Sequence, residues 1–292
     1  MIAHAPAKLN LALAVGVPRP DGYHELVTIF QTISLADELS LAESEALTLE
    51  VEGDAPSGPE NLVLKAARRL GEAAGVNRGA ALRLTKRIPT GAGLGGGSSD
   101  AATALVALDR LWGLRACRED LVAIAADLGS DVAFFLLGGT VLGLGRGERL
   151  FALSDLPARH VVLALPGFAV STAAAYRLYD KRGGGGVLGS SERWRLPLLW
   201  DWAEGCFEGL GNDLEAAVFA LHPELAGMKA ALRGAGAEHA LLTGSGSTVY
   251  GLFRDSSAAA AAVPALGGAG GEALLTTTLG REGFRALQLG DR

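Results

Sequence analysis

The stretch Pro89-Thr90-Gly91-Ala92-Gly93-Leu94-Gly95-Gly96-Gly97-Ser98-Ser99-Asp100 constrains this chain more than any other. Its glycines carry no Cβ, so the backbone can take positive φ and its N–H groups can come close to a ligand. Ser98, Ser99 and Asp100 are residue types that begin helices, and Ala101, Leu105, Leu108 and Trp112 then recur at helical spacing. Free amides at a helix start, with the positive end of the helix dipole, attract phosphate. A polyphosphate cradle is the first expectation. Gly91-x-x-x-x-Gly96 begins like a P-loop, but Gly97 stands where that loop has its lysine. Gly91-x-Gly93-x-x-Gly96 matches a dinucleotide fingerprint, yet Arg118 to Leu128 reads as a helix where a strand ending in an acid is needed. A flexible linker would not run into an amphipathic helix.

The chain's 292 residues suffice for two domains, and 49% hydrophobic residues allow sizeable cores. A formal charge of −6 argues against a general nucleic-acid or membrane-surface binder, so neither partner is expected. Cys117 and Cys206 form no CxxC, and His4, His160, His222 and His239 are scattered, so no metal site built from side chains is indicated. The start, Met1-Ile2-Ala3-His4, lacks a basic and apolar leader, which makes the cytoplasm the default location. Nothing in the pattern sets an oligomeric state.

Leu9, Leu11, Leu13 and Val15 alternate as in a strand with one buried face, which puts Lys8, Asn10 and Ala12 on the other. Pro18 to Gly22 is turn chemistry, leading through Tyr23 and His24 into a strand-like run to Ile33. Leu39 to Leu41 and Leu47 to Val51 are further strands, Glu60 to Ala74 a helix stopped by Gly75, and Ala81 to Ile88 the strand that delivers the glycine loop. Asp131 lies where one helix ends at Gly129 and another begins; Gly138-Gly139 then opens a strand through Leu144. Near Leu153 to Ala158 the pattern restarts. His160 to Leu165, a helix to Tyr179, a glycine loop from Gly183, helices from Asp213 and Glu224, strands 240–242 and 248–253, a helix 256–266 and a strand 272–277 follow. That order is ferredoxin-like.

Three stretches combine: Pro6-Ala7-Lys8-Leu9-Asn10, the glycine loop through Asp100, and Leu242-Thr243-Gly244-Ser245-Gly246. Together they resemble the GHMP kinases, the superfamily of galactokinase, homoserine kinase and mevalonate kinase. Asp21-Gly22-Tyr23-His24, Leu128-Gly129-Ser130-Asp131-Val132 and Asn212-Asp213-Leu214 look most like its branch that acts on a cytidine diphosphate conjugate of methylerythritol. The resemblance implies an α+β protein with a ribosomal S5 domain 2-like nucleotide-binding lobe, residues 1–153, and a ferredoxin-like lobe, residues 154–292. It implies ATP with Mg2+, and transfer of the γ-phosphoryl to the 2-hydroxyl of the erythritol part, an isoprenoid-precursor step of the non-mevalonate route. By position Lys8 and Asp131 would be the catalytic pair, and Asn10, Tyr23, His24 and Tyr176 would line the substrate pocket. Asn61 would lie near the adenosine, and Pro89, Gly91, Gly93, Leu94, Gly95, Gly96, Gly97, Ser98 and Ser99 would hold the nucleotide, with Ser98 or Ser99 near the metal.

Phosphoryl transfer needs alignment and charge neutralisation more than covalent help. This loop has no lysine of its own, so Lys8 is the candidate cation, and an aspartate within reach of a sugar hydroxyl can take its proton. A neutral histidine could read the edge of cytosine while an aromatic stacks on its face. Ala133 stands where the pattern would put a proline after Asp131-Val132. Alternatives are another GHMP kinase, of homoserine or mevalonate type, or a nucleotide-binding module without catalysis; a module would not need both Lys8 and Asp131.

Overall fold

A computed structural model describes residues 1–184, 207, 209–266 and 271–290. Most of the glycine run expected as a loop at 183–189 lies outside those residues. The first sheet has the order β3 (Leu47–Glu52), β4 (Gly79–Thr85), β2 (His24–Ser44), β5 (Thr140–Gly145), β6 (Arg149–Ala152), and β1 (Ile2–Pro18) pairs with β2. The run to Ile33 and the strand at Leu39 to Leu41 are thus one strand of 21 residues. That length lets β2 pair with β1 along residues 24–40, with β5 at 26–31 and with β4 at 38–44.

Helices α1 (Leu62–Ala74), α2 (Gly96–Trp112) and α3 (Arg118–Leu128) pack against this sheet around Leu70, Leu84, Leu105, Leu108 and Phe134. Asn61 caps α1 by accepting from the Val63 N–H, and Gly75 closes it in the left-handed region. The second sheet has the order β10 (Glu272–Thr277), β7 (His160–Leu165), β9 (Val249–Phe253), β8 (His239–Leu242), antiparallel throughout. With α4 (Thr172–Lys181), α5 (Glu215–Leu221), α6 (Glu224–Gly234) and α7 (Ser256–Leu266), this is the expected ferredoxin-like arrangement.

Two features depart from the sequence reading. The last helix, α8 (Arg281–Leu289), was not expected, and it returns to the first lobe: Phe284 joins that core and the Gln288 amide donates to the Phe135 carbonyl at 3.1 Å. Gly138 makes room for it, since a Cβ there would stand 2.0 Å from the Phe284 ring. The strand β1, expected to be half-buried, is buried on both faces. Leu9 and Leu11 enter a core shared with Val161, Leu163, Tyr250 and Leu252 of the second sheet, while Lys8 and Asn10 lie in the cleft at 4% and 3% exposure.

The buried His239 imidazole bridges the lobes, its Nε2 donating to the Leu11 carbonyl at 3.0 Å, with the tautomer assigned from that acceptor. Burial lowers it to about 4. The ring is neutral when folded, so its contribution is complete above the ordinary value of 6.5 and is lost as pH falls through about 4. The gap corresponds to roughly 3 kcal/mol. Urea unfolding at several pH values between 7 and 4 is expected to show a shallower acid loss in His239→Gln than in the wild type; parallel curves would count against it.

Candidate active site

The site grows from an irregularity in β1. Register shifts fall between Pro6 and Lys8 and between Asn10 and Ala12, on either side of the two polar residues. Bulges re-aim side chains, and here the Lys8 ammonium donates to Asn10 Oδ1 at 2.6 Å. The Asn10 amide donates in turn to Thr28 Oγ1 at 2.8 Å, and Thr243 Oγ1 accepts from the Asn10 backbone N–H at 3.0 Å. Residues 233 positions apart therefore hold one asparagine, and the asparagine holds the lysine. Lys8 Nζ stands 3.5 Å from Asp131 Oδ2 and 5.5 Å from the Phe30 ring centre.

Asp131 sits in a turn between α3 and a 3-10 turn, Ala133–Leu136, and its side chain is about one-third exposed. Ala133 is buried and starts that 3-10 turn, so the turn forms without the proline.

The glycine loop corrects the expectation for its helix. Residue Gly95, left-handed at φ 73°, is the N-cap of α2, with no side-chain cap. Ser98, Ser99 and Asp100 lie inside the helix rather than before it. Uncapped amides at this start are what an anion would meet. Ser99 is fully buried and donates to the Pro6 carbonyl at 2.7 Å, so its hydroxyl is turned to β1. Ser98 stays partly exposed.

Gly93 touches the other lobe: a Cβ would meet the Thr243 carbonyl oxygen at 2.3 Å. At Gly95 a Cβ would meet Phe135 at 2.9 Å and Lys8 Cγ at 3.0 Å. The Lys8 N–H donates to the Leu94 carbonyl at 3.0 Å, so β1 and the loop are directly joined.

A cavity of about 680 Å³ gathers Lys8, Asn10, Asp131, Tyr23, His24 and Tyr176, with Gly93 and Gly95 in its wall. Arg146 and Arg177, which the sequence reading missed, also line it. The Arg146 guanidinium lies 5.0 Å from the Tyr23 ring centre. His24 Nε2 is 2.8 Å from Asp180 Oδ1, and its ring centre is 5.0 Å from that of Tyr176. One of the two histidine nitrogens is therefore already engaged, which narrows the expectation that both could face a ligand. A second cavity of the same volume lies across the loop, lined by Ile88, Pro89, Thr90 and Ala92. Asn61, Leu94, Gly96, Gly97, Ser98 and Ser99 are among the lining residues of neither. The Asn61 side chain is occupied by its cap and by the Pro56 carbonyl at 2.6 Å.

Sequence reasoning also missed the loop's ionic support. Lys86 Nζ pairs with Asp37 and with Asp100 Oδ2, the latter at 2.6 Å, and all three are buried. Burial pushes the Asp100 carboxyl up to about 7. Asp37 on the alternating apolar face of Ile33, Leu35, Leu39 and Leu41 was the available signal.

A bulged strand presenting a lysine, an uncapped glycine-bounded helix start and an aspartate facing the lysine form an arrangement with the parts that phosphoryl transfer needs. The description "GHMP kinases N terminal domain" fits residues 61–139, and "GHMP kinases C terminal" fits residues 200–272. The chain belongs to the GHMP kinase family. Over 269 residues it is 48% identical to the 4-diphosphocytidyl-2-C-methyl-D-erythritol kinase of Solibacter usitatus, covering 90% of this chain and 84% of that protein. It is 46% identical to the same-named kinase of Deinococcus radiodurans, covering 90% and 87%. A crystal structure of 4-(cytidine 5'-diphospho)-2C-methyl-D-erythritol kinase superposes with a TM-score of 0.81 at 41% identity, covering 96% of this chain and all of that one.

Proposed function

We propose that this protein transfers the γ-phosphoryl of ATP to the 2-hydroxyl of 4-(cytidine 5'-diphospho)-2-C-methyl-D-erythritol, in the cytoplasm, towards isoprenoid precursors by the non-mevalonate route. The observation that carries this reading is the single cavity lined both by the Lys8–Asp131 pair and by Tyr23, His24 and Tyr176. The α2 start seats the triphosphate on its backbone amides. Asp131 accepts the proton of the attacking hydroxyl, and Lys8, steadied by Asn10, orients Asp131 and offsets charge on the transferring group.

Among the described residues no cluster of three or more His, Cys, Asp or Glu could hold a metal. The partly exposed Ser98 hydroxyl at the α2 start is the kind of oxygen donor magnesium takes and would hold the ion together with the nucleotide. Mg2+ there would supply neutralisation of phosphate charge. No helix among the described residues is long and apolar enough to cross a membrane.

With Nε2–H directed to Asp180, His24 has Nδ1 left to accept from the exocyclic amine of the base. Tyr23 and Tyr176 offer stacking faces, and Arg146 and Arg177 offset the acceptor's diphosphate. His24→Ala is expected to raise KM for the cytidylated acceptor about tenfold, with KM for ATP unchanged, a loss of the size of one hydrogen bond and its packing. An unchanged acceptor KM would remove His24 from the pocket.

ATP consumption should be measured with the cytidine diphosphate conjugate, mevalonate and homoserine in parallel. Turnover with the first alone is the expected result; turnover only with either of the others would overturn the reading.

A further inference from the structure

Two cavities of about 680 Å³ flank the glycine loop, one lined by Thr90 and Ala92 and by Lys86 before them, the other by Gly93 and Gly95, and only Ala92 and Leu94 of the loop enter the core. Something must hold its two ends. Entry and exit are both tied to one buried group. At the entry, Asp37 Oδ1 accepts from the backbone N–H of Arg87 and from that of Ile88 at 2.8 Å, where the chain leaves β4. At the exit, Asp100 lies on the second turn of α2 and reaches Lys86 through Oδ2 alone, while its Oδ1 is buried with no hydrogen-bond partner among the described residues. Lys86 joins the two carboxylates, and its ammonium lies 3.2 Å from where a Cβ on Gly96 would stand. The side chains of Lys86, Asp37 and Asp100 are 6%, 0% and 4% exposed.

Burying a lysine with two carboxyl groups gains little stability against packed apolar side chains, because desolvation offsets the attraction. What such a cluster does supply is registry between the elements it joins. We infer that Lys86, Asp37 and Asp100 are positioning residues for the nucleotide, clamping both ends of the glycine loop so that the uncapped α2 amides hold one geometry. The inference rests on the reading of that loop as the ATP seat. None of the three is among the residues lining the cavity of Lys8, Asp131 and His24, so their effect falls on the nucleotide and not on the acceptor. Effective seating of a phosphate requires its donors to be held within a few tenths of an ångström, and a slack loop forfeits that.

Asp100→Ala cuts the exit tether while leaving Lys86 paired with Asp37. It is expected to weaken ATP binding at least tenfold by calorimetry and to raise KM for ATP as much. KM for the acceptor should stay within twofold. Asp100→Asn keeps an acceptor for the ammonium and is expected to recover ATP binding to within threefold of the wild type. The neutral triple variant K86M/D37N/D100N removes the Lys86 link between the two ends without stranding a buried charge, while D37N keeps an oxygen for the Arg87 and Ile88 N–H groups. It is expected to unfold within a few degrees of the wild type while binding ATP as weakly as Asp100→Ala. Wild-type ATP binding in the folded triple variant, or equal losses in both Michaelis constants in Asp100→Ala, would overturn the inference. Failure of the wild type itself to bind ATP would instead sink the reading of the loop.

Discussion

Asp131→Asn is expected to lower kcat by roughly 10²–10⁴-fold, the range for loss of a general base. The amide keeps the shape and one acceptor oxygen for Lys8, but it cannot take the proton of the attacking hydroxyl. Asp131 has no part in the α2 start, so calorimetric ATP affinity should stay within a few-fold of the wild type. Steady-state rates with saturating ATP and the cytidylated acceptor test this; wild-type kcat in the variant would end the general-base assignment. Lys8 is also held by Asn10 at 2.6 Å, a contact that does not involve residue 131.

Gly93→Ala is expected to damage both stability and activity, because two costs coincide at that position. The backbone is left-handed at φ 79°, which costs an L-residue about 1–2 kcal/mol. The new Cβ would also face the Thr243 carbonyl oxygen at 2.3 Å and the Gly246 carbonyl oxygen at 3.0 Å. Backbone on the opposite lobe cannot swing aside like the end of a flexible side chain. The loop and the 243–246 turn must separate, and Thr243 carries hydrogen bonds that hold Asn10 and hence Lys8. Gly113→Ala is the control: φ is 65°, but nothing lies within 4 Å of its Cβ position. Denaturant midpoints and kcat/KM should fall well further in Gly93→Ala than in the control. Equal losses would mean that the lobe contact carries no weight.

The sequence was legible where local rules govern. Helix α1 ends at Gly75 in the left-handed region, and α4 begins at Ser171, whose hydroxyl accepts from the Ala174 N–H, as capping residues predict. The ferredoxin-like order came from alternating periodicities alone. Reading failed where a distant partner overrode local preference. Ser99 looks like a cap, yet its hydroxyl serves the Pro6 carbonyl 93 positions away, and Asp100 serves Lys86. The helix α8 is amphipathic, but nothing local tells that Phe284 will fill the space over Gly138.

At the opening glycine stretch the same division holds. Composition and the order of residues determined that a glycine loop without a lysine leads into a helix, and carried the expectation that it seats phosphate. Only the tertiary structure decided which glycines are obligatory and for whom. Gly93 makes way for the other lobe and Gly95 for the Lys8 stem, because side-chain room depends on atoms that the chain brings back from far along its length. The pairing of Lys8 with Asp131, 3.5 Å apart across 123 positions, likewise follows from two bulges in β1 and a turn after α3. Period and propensity carry no information about such a distance.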